Sequence, residues 1–296
     1  MYNFCMPNYR IASLLPSATE LVSAIGLTDA IVCVSHECDS PAKIGHLPKV
    51  TSCNIPKNID QLSVDQFVRE SIRDGKALYD INVDLLIKLK VSHIITQGVC
   101  EVCAVSPDLI RTNLRGNKCI LPSKTKIISL SGTTIQGIFE DVTTLSKAFN
   151  KIENGKSIIR LAENKLKVFG NTLPKNRTVL MLEWLDPPYI AGHWVPEQIE
   201  AAGFNCALGK RGNKSEIISW DEIVRIDPDF IGLIACGGNL TENQRYADIL
   251  SNMENLKNLK SVRNKNVFAF DANKFFSRPT LGVIDGIEAL QRQFLI

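Results

Sequence analysis

Three short stretches concentrate the side chains capable of metal or proton chemistry. The first is Ser35-His36-Glu37-Cys38-Asp39, four potential ligands or proton carriers in succession after a single serine. The second is Cys100-x-x-Cys103, with Glu101 between the thiols. A turn at that spacing brings two sulfurs to one point, where they can share a metal or form a disulfide. A closed structural zinc site takes four ligands, and the chain has no second pair at this spacing. Convergence of His36, Cys38, Cys100 and Cys103 would supply those four. With His193 added, such a set could hold zinc or iron, while Glu37, Glu101 or Glu183 handles protons on a bound water. The opposite reading makes the cysteines core fillers and His36 a satisfied loop residue. A thiol-redox role fits less well, because a redox pair opens a helix directly after a strand and Ser106-Pro107 places the helix start later. The third stretch, Glu183 to Glu197, carries Trp184, Tyr189, His193 and Trp194 on a Pro- and Gly-rich loop. Large aromatics without a strand pattern to bury them are natural walls for a flat ligand, or else form a small core beneath the loop.

These residues must be positioned by the elements before them. Short apolar runs at Arg10–Leu15, Ile31–Val34, Val91–Thr96, Lys118–Leu121 and Lys126–Leu130 read as buried strands, and helical patterns lie between them. Ser17 and Glu20 have the spacing of a capping box, and Gly26 closes the helix that follows. His93, inside a strand, reads as a core or sheet-face residue. The alternation restarts at Arg177–Trp184, continues through Phe230–Ala235 and Val267–Phe270, and ends in a helix over Thr280–Phe294. Between the two series lies a 3.6-residue pattern bounded by Asn154, read as its N-cap, and Pro174. The expectation is therefore an α/β protein of two Rossmann-like lobes joined by a single long helix, with a ligand cleft between them. The boundaries are residues 1–153, 154–173 and 174–296; the alternative is a crossover helix inside one continuous sheet. Loops past the C-terminal ends of parallel strands line ligand crevices, and all three chemical stretches follow such ends.

Composition narrows the function classes. The net charge of +3 is too small to favour nucleic acid as a partner. No stretch approaches the ~18 apolar residues of a membrane span. Nine cysteines, an odd number, with no secretory pattern at the start point to reduced thiols and a cytoplasmic protein.

With these loops in view, the chain resembles the cobalamin- and siderophore-type substrate-binding proteins of ABC transporters. The opening RIASLLPSATELVSAIGL is similar to that family's first strand and helix. DPDFIGLIACG followed by a long helix, then NKNVFAFDANKFFSRPT, matches the second half. SHECDSP, QGVCEVC and EWLDPPYIAGHWVPE look like a subgroup usually described as cobalamin-binding. The resemblance covers nearly all of residues 10–295. It implies ligand contacts from Pro16 and Ser17, from Ser35, His36 and Glu37, and from Gln97 and Glu101. In the second half it implies Glu183, Trp184, Tyr189, His193 and Trp194, then Cys236, Asn273, Phe275 and Arg278. Function would then be non-catalytic binding of a corrinoid (cobalamin-like) or other metal-bearing ligand. The aromatics would wall the macrocycle, with His36, His193 or a thiolate free to meet the metal. The partner would be an ABC permease, and the location periplasmic or extracellular. The rival is a cytosolic metal-dependent enzyme using the Cys/His set with zinc or iron.

Overall fold

A computed structural model describes residues 9–56, 59–98, 125–169 and 176–294. The fold is mixed α/β in two compact units. One comprises Met1–Ile59, Gln66–Gly132 and Phe139–Ile158; the other comprises Asp60–Asp65, Thr133–Ile138 and Ile159–Ile296. Neither unit is a single run of sequence.

The first unit is built on strands β1 (Ile11–Ser13) and β2 (Ile31–Val34), with helix α1 (Pro16–Ala24) between them. A short antiparallel ribbon follows: β3 (Thr51–Cys53) and β4 (Tyr79–Ile81), separated by helix α2 (Gln61–Arg73). Next come α3 (Val83–Lys88), β5 (His93–Gln97) and β6 (Lys126–Leu130). The main sheet is parallel, in the order β2-β1-β5-β6. Burial on both faces explains why β1 and β5 read as continuous apolar runs, and Ala12, Cys33 and Ile94 are fully buried. Beneath the sheet, Leu14, Val50, Leu78, Leu86 and Val91 form one cluster. His93 is buried against Tyr9 and Phe149, as a core histidine should be. Two expectations of capping need correction. Leu15, not Ser17, is the N-cap of α1, and Pro16 takes the first helical position, where its missing N–H costs nothing. Asn154 is not a cap either. Helix α5 (Ile152–Phe169) starts before it, following α4 (Ile135–Ala148), and the Asn154 amide donates to the carbonyl of Ile25 at 3.1 Å.

The second unit has its own sheet. It is made from β7 (Thr178–Leu185), β8 (Pro188–Ile190), β9 (Asn205–Cys206), β10 (Glu216–Ile217), β11 (Phe230–Leu233) and β12 (Val267–Ala269). β7, β11 and β12 are parallel, β8 runs antiparallel to β7 and β10 antiparallel to β8, in the order β10-β8-β7-β11-β12, and β9 pairs parallel with β7 off this path. Strands 126–130 and 178–185 thus lie in different sheets, which excludes the single-sheet alternative. Among the described residues the helices that follow β7 are α6 (Val195–Ala201), α7 (Trp220–Ile226), α8 (Leu240–Ser251), α9 (Lys260–Arg263), the one-turn α10 (Ala272–Phe275) and α11 (Gly282–Phe294). α8 begins with a capping box between Asn239 and Glu242. Phe294 of α11 stacks on Phe230 at 4.7 Å and meets Phe204 and Phe270 edge-on at 5.5 and 5.7 Å.

Phe294 is 1% exposed at the centre of that aromatic group. Truncation to alanine leaves a cavity that rigid rings cannot refill. Phe294→Ala should lower stability by about 3–5 kcal/mol, read from urea midpoints followed by circular dichroism; a loss below about 1 kcal/mol would mean that the rings repack.

Candidate functional site

In the first unit, the loops past β1 and β2 are tied together by main-chain and side-chain bonds. The Ser35 N–H donates to the Ser13 carbonyl at 2.8 Å, and Cys38 N–H closes a turn onto Ser35 at 3.2 Å. Ser35 Oγ accepts from Glu37 N–H at 3.1 Å. Underneath, Thr19 of α1 places its hydroxyl 2.8 Å from Ser13 Oγ and 3.1 Å from Cys38 Sγ. Cys38 is 4% exposed, and burial pushes its thiol up from the ordinary range. Its sulfur lies inside the turn, against the Thr19 hydroxyl. His36 and Glu37 remain partly exposed on the same turn. Ser17 is buried, and its hydroxyl has no partner among the described residues. Gln97 is buried at the end of β5. Cys100, Glu101 and Cys103 lie outside the described residues. Past β6, Asp141 reaches back from α4 and accepts the N–H groups of Ser131 and Gly132 at 3.1 and 2.9 Å. Burial raises its carboxyl above the usual range, and these two bonds oppose that shift.

The second unit repeats this construction. Asn243 of α8 is fully buried. Its side-chain oxygen accepts Ala235 N–H at 2.7 Å, and its amide donates to Gly238 and Phe270 carbonyls at 3.2 and 2.9 Å. One side chain thus joins the loop holding Cys236 to the loop after β12. Asn273 completes the join by donating to the Gly237 carbonyl at 2.8 Å. The segment carrying Asn273, Phe275 and Arg278 is held from below by Trp194 and Gln198. Trp194 is 4% exposed, and its indole N–H bonds to the Phe276 carbonyl at 2.9 Å. Gln198 donates to Phe275 and Val283 carbonyls at 2.9 and 2.7 Å. A Cβ at Gly286 would come within 2.4 Å of that amide, so glycine there makes the reach possible. Of the two readings of the aromatic loop, Trp194 takes the small core beneath it.

Trp184 and Tyr189 face each other across β7 and β8 and are half-buried. Both engage the first turn of α2, which belongs to this unit. Trp184 N–H donates to the Gln61 carbonyl at 3.3 Å, Leu185 N–H to Gln61 Oε1 at 3.0 Å, and the Tyr189 hydroxyl to Asp65 at 3.1 Å. Glu183 is half-buried on the same strand. His193 has a left-handed backbone (φ 54°), uncommon outside glycine. Two main-chain bonds hold it there, from its N–H to Asn213 O at 2.6 Å and from Gly212 N–H to its own carbonyl at 2.8 Å. Its ring stacks on Trp194. Burial, reinforced by Lys214, keeps the imidazole below its ordinary range. The buried Glu197 carboxylate accepts Ile135 N–H at 2.8 Å and pairs with Arg211 at 3.2 Å.

Among the described residues no three His, Cys, Asp or Glu side chains gather to hold a metal, and no helix is long and apolar enough to cross a membrane. A recess of roughly 300 Å³ between Asn54, Phe67, Glu70, Ser71, Lys76 and Ala77 contains none of the expected site residues. Sequence reasoning missed Thr19, Asp141, Gln198 and Asn243. Polar residues inside apolar helical patterns were the available signal, and periodicity alone assigns them to solvent.

These loop sets at the C-terminal ends of parallel strands, each fastened from below, are the construction of a ligand-binding α/β protein. A sequence profile of the periplasmic binding protein family matches residues 121–273, just over half of the chain, and the chain belongs to that family. Solved structures share the fold along nearly its whole length. A possible iron-binding (periplasmic solute-binding) protein of Staphylococcus epidermidis is 16% identical with a TM-score of 0.72, covering 97% of this chain and 99% of its own. The periplasmic vitamin B12-binding protein of Vibrio cholerae is 20% identical with a TM-score of 0.67, over 98% and 97%. The periplasmic heme-binding protein of the same organism is 19% identical with a TM-score of 0.72, over 97% and 99%. No curated protein sequence matches the chain.

Two outcomes follow from burial. Cys53 and Cys236 are exposed, whereas Cys33 and Cys38 are buried, with Cys33 pushed up to about 12. Brief iodoacetamide treatment near neutral pH should modify Cys53 and Cys236 well before Cys33 or Cys38 in a peptide mass map. Equal labelling of Cys38 would contradict its burial. For His193, the folded ring resists a proton that the unfolded chain accepts near its ordinary 6.5. The stability it contributes is complete above that pH and is lost as pH falls through the window below it. His193→Gln should flatten this limb of the stability–pH curve; His93, which burial also holds low, contributes with the same sign.

Proposed function

We propose that the chain is the ligand-binding component of an ABC transporter and takes up a metal-bearing ligand for delivery to a permease. The observation that carries this reading is family membership joined to a whole-length fold shared with proteins named for iron, vitamin B12 and heme. Each of those is a metal or a metal-bearing compound. Within this class we favour a corrinoid. The support is the resemblance of residues 35–41, 97–103 and 183–197 to a cobalamin-type subgroup. The loops expected to meet it include those of His36 and Glu37 and those of Cys236, Asn273, Phe275 and Arg278. Their main chains are fastened by buried side chains, so little ordering remains to be done on binding, which favours affinity.

The reading is tested by incubating the protein separately with aquocobalamin, hemin and an iron(III) hydroxamate, desalting, and recording absorbance spectra. Near-stoichiometric retention of one compound is the expected result, with aquocobalamin the favoured one. Retention of hemin or the hydroxamate alone would keep the transport role and overturn the corrinoid. Retention of none would overturn the metal-bearing class.

A further inference from the structure

β8 and β10 pair Ile190 with Glu216, so the chain leaves that ladder as two segments lying side by side. His193 N–H donates to the Asn213 carbonyl at 2.6 Å, and Gly192 N–H to Ser215 Oγ at 3.3 Å. The approach is close enough to require a glycine. A Cβ at position 192 would lie 2.5 Å from the Asn213 carbonyl oxygen and 2.6 Å from the Lys214 carbonyl carbon. The main chain of Lys214 is thereby fixed against Gly192, beside His193.

The imidazole is held there in an uncommon state. Its backbone is left-handed at φ 54°, which a non-glycine residue keeps only where its neighbours over-determine it, often at a ligand site. The ring stacks on Trp194 with centroids 5.6 Å apart. The residue is half-buried, and its Nδ1 is enclosed without a hydrogen-bond partner among the described residues. The core histidine His93, by contrast, pairs its Nδ1 with Ser92 at 2.9 Å. An enclosed N–H that meets nothing is the rarer defect than a bare acceptor, so the neutral ring carries its proton on Nε2, at its other edge. Burial, and then the charge of Lys214, keep the ring neutral. A metal-ligating imidazole offers one lone pair and donates its other N–H to a fixed acceptor; His193 has no such acceptor at Nδ1.

The loop beside it is cationic, with Lys210, Arg211 and Lys214 in close succession. Arg211 is committed to Glu197 and Glu200, at 3.2 and 3.5 Å. Lys214 is exposed, and among the described residues no carboxylate pairs with it.

We propose that His193 and Lys214 form a two-point site for an anionic oxygen group on the ligand's periphery, a carboxylate or a phosphodiester. The imidazole donates one hydrogen bond and the ammonium a second, charge-assisted one. This rests on the ligand-binding reading above, adds Lys214 to the ligand contacts, and turns His193 from the ligand's metal to its edge.

Two pairs of probes test it on the full chain, each pair differing at the anion. Dicyanocobalamin carries the phosphodiester of its nucleotide loop, and dicyanocobinamide lacks that loop. Hemin carries carboxylates, and its dimethyl ester has none. In whichever pair the unsubstituted protein retains, the anionic member should bind about tenfold tighter. Preference within the corrinoid pair assigns a phosphodiester, and within the porphyrin pair a carboxylate. Lys214→Gln should reduce the ratio to within about twofold, and Lys214→Arg should keep it. His193→Asn, which suits the left-handed backbone, should lower it about threefold. Retention without preference for the anion would overturn the site and leave the transport reading intact. So would a ratio unmoved by Lys214→Gln or by His193→Asn at unchanged melting temperature. Retention of neither pair would overturn this proposal, and the transport reading falls with it only if the iron(III) hydroxamate is not retained either.

Discussion

Backbone groups in the loops beyond a parallel sheet cannot pair along the ladder, and where the fold covers them water cannot pair them either. This chain solves that problem with single buried polar side chains sent back from neighbouring helices. Asn243 satisfies one N–H and two carbonyls in two loops. Gln198 takes two further carbonyls, Asp141 takes two N–H groups, and Thr19 supports the turn that ends at Cys38. Each is worth more than an average hydrogen bond, because its removal strands several buried groups at once. The neighbouring geometry depends on them: Gly286 must lack a side chain so that Gln198 can pass, and Trp194 must be buried to hold Phe276.

Fastening from below separates the residues that build the loops from those the loops present. On the turn after β2, Cys38 and Ser35 point inward while His36 and Glu37 stay partly exposed. At the end of β7 and in β8, Leu185 and Ile190 are buried while Trp184 and Tyr189 meet the first turn of α2. A motif rich in metal-binding residue types is thereby divided between a buried thiol and a partly exposed imidazole.

Much of this architecture was legible from sequence because strands buried on both faces leave continuous apolar runs. Ile31–Val34 and Lys126–Leu130 were bounded as they stand, and Arg10–Leu15 was found two residues too long in one direction and one in the other. The ribbon of β3 and β4 left no such trace, because three-residue strands are too short to show a period. Its absence from the reading hid the environment of His36, which depends on Thr51 and Tyr79. The capping box assigned to Ser17 had the right spacing, but Pro16 already occupied the first helical position and displaced it. For Trp194 the sequence leaves both a ligand wall and a small core beneath the loop open, because its loop has no periodicity and its partner, the Phe276 carbonyl, lies far along the chain. Buried polar helix residues such as Asn243 are hidden for the same reason, since their partners are long-range loops.

The placement of the tryptophans has a practical consequence. Trp184, Trp194 and Trp220 are the chain's full complement, and all belong to the second unit. Intrinsic indole fluorescence therefore reports on that unit alone, and the first is optically silent at those wavelengths. An unfolding curve recorded by emission would look like a single transition whether or not the first unit melted with it. Comparison with a backbone signal, or a tryptophan introduced into the first unit, is needed before one free energy of unfolding can be assigned to the whole chain.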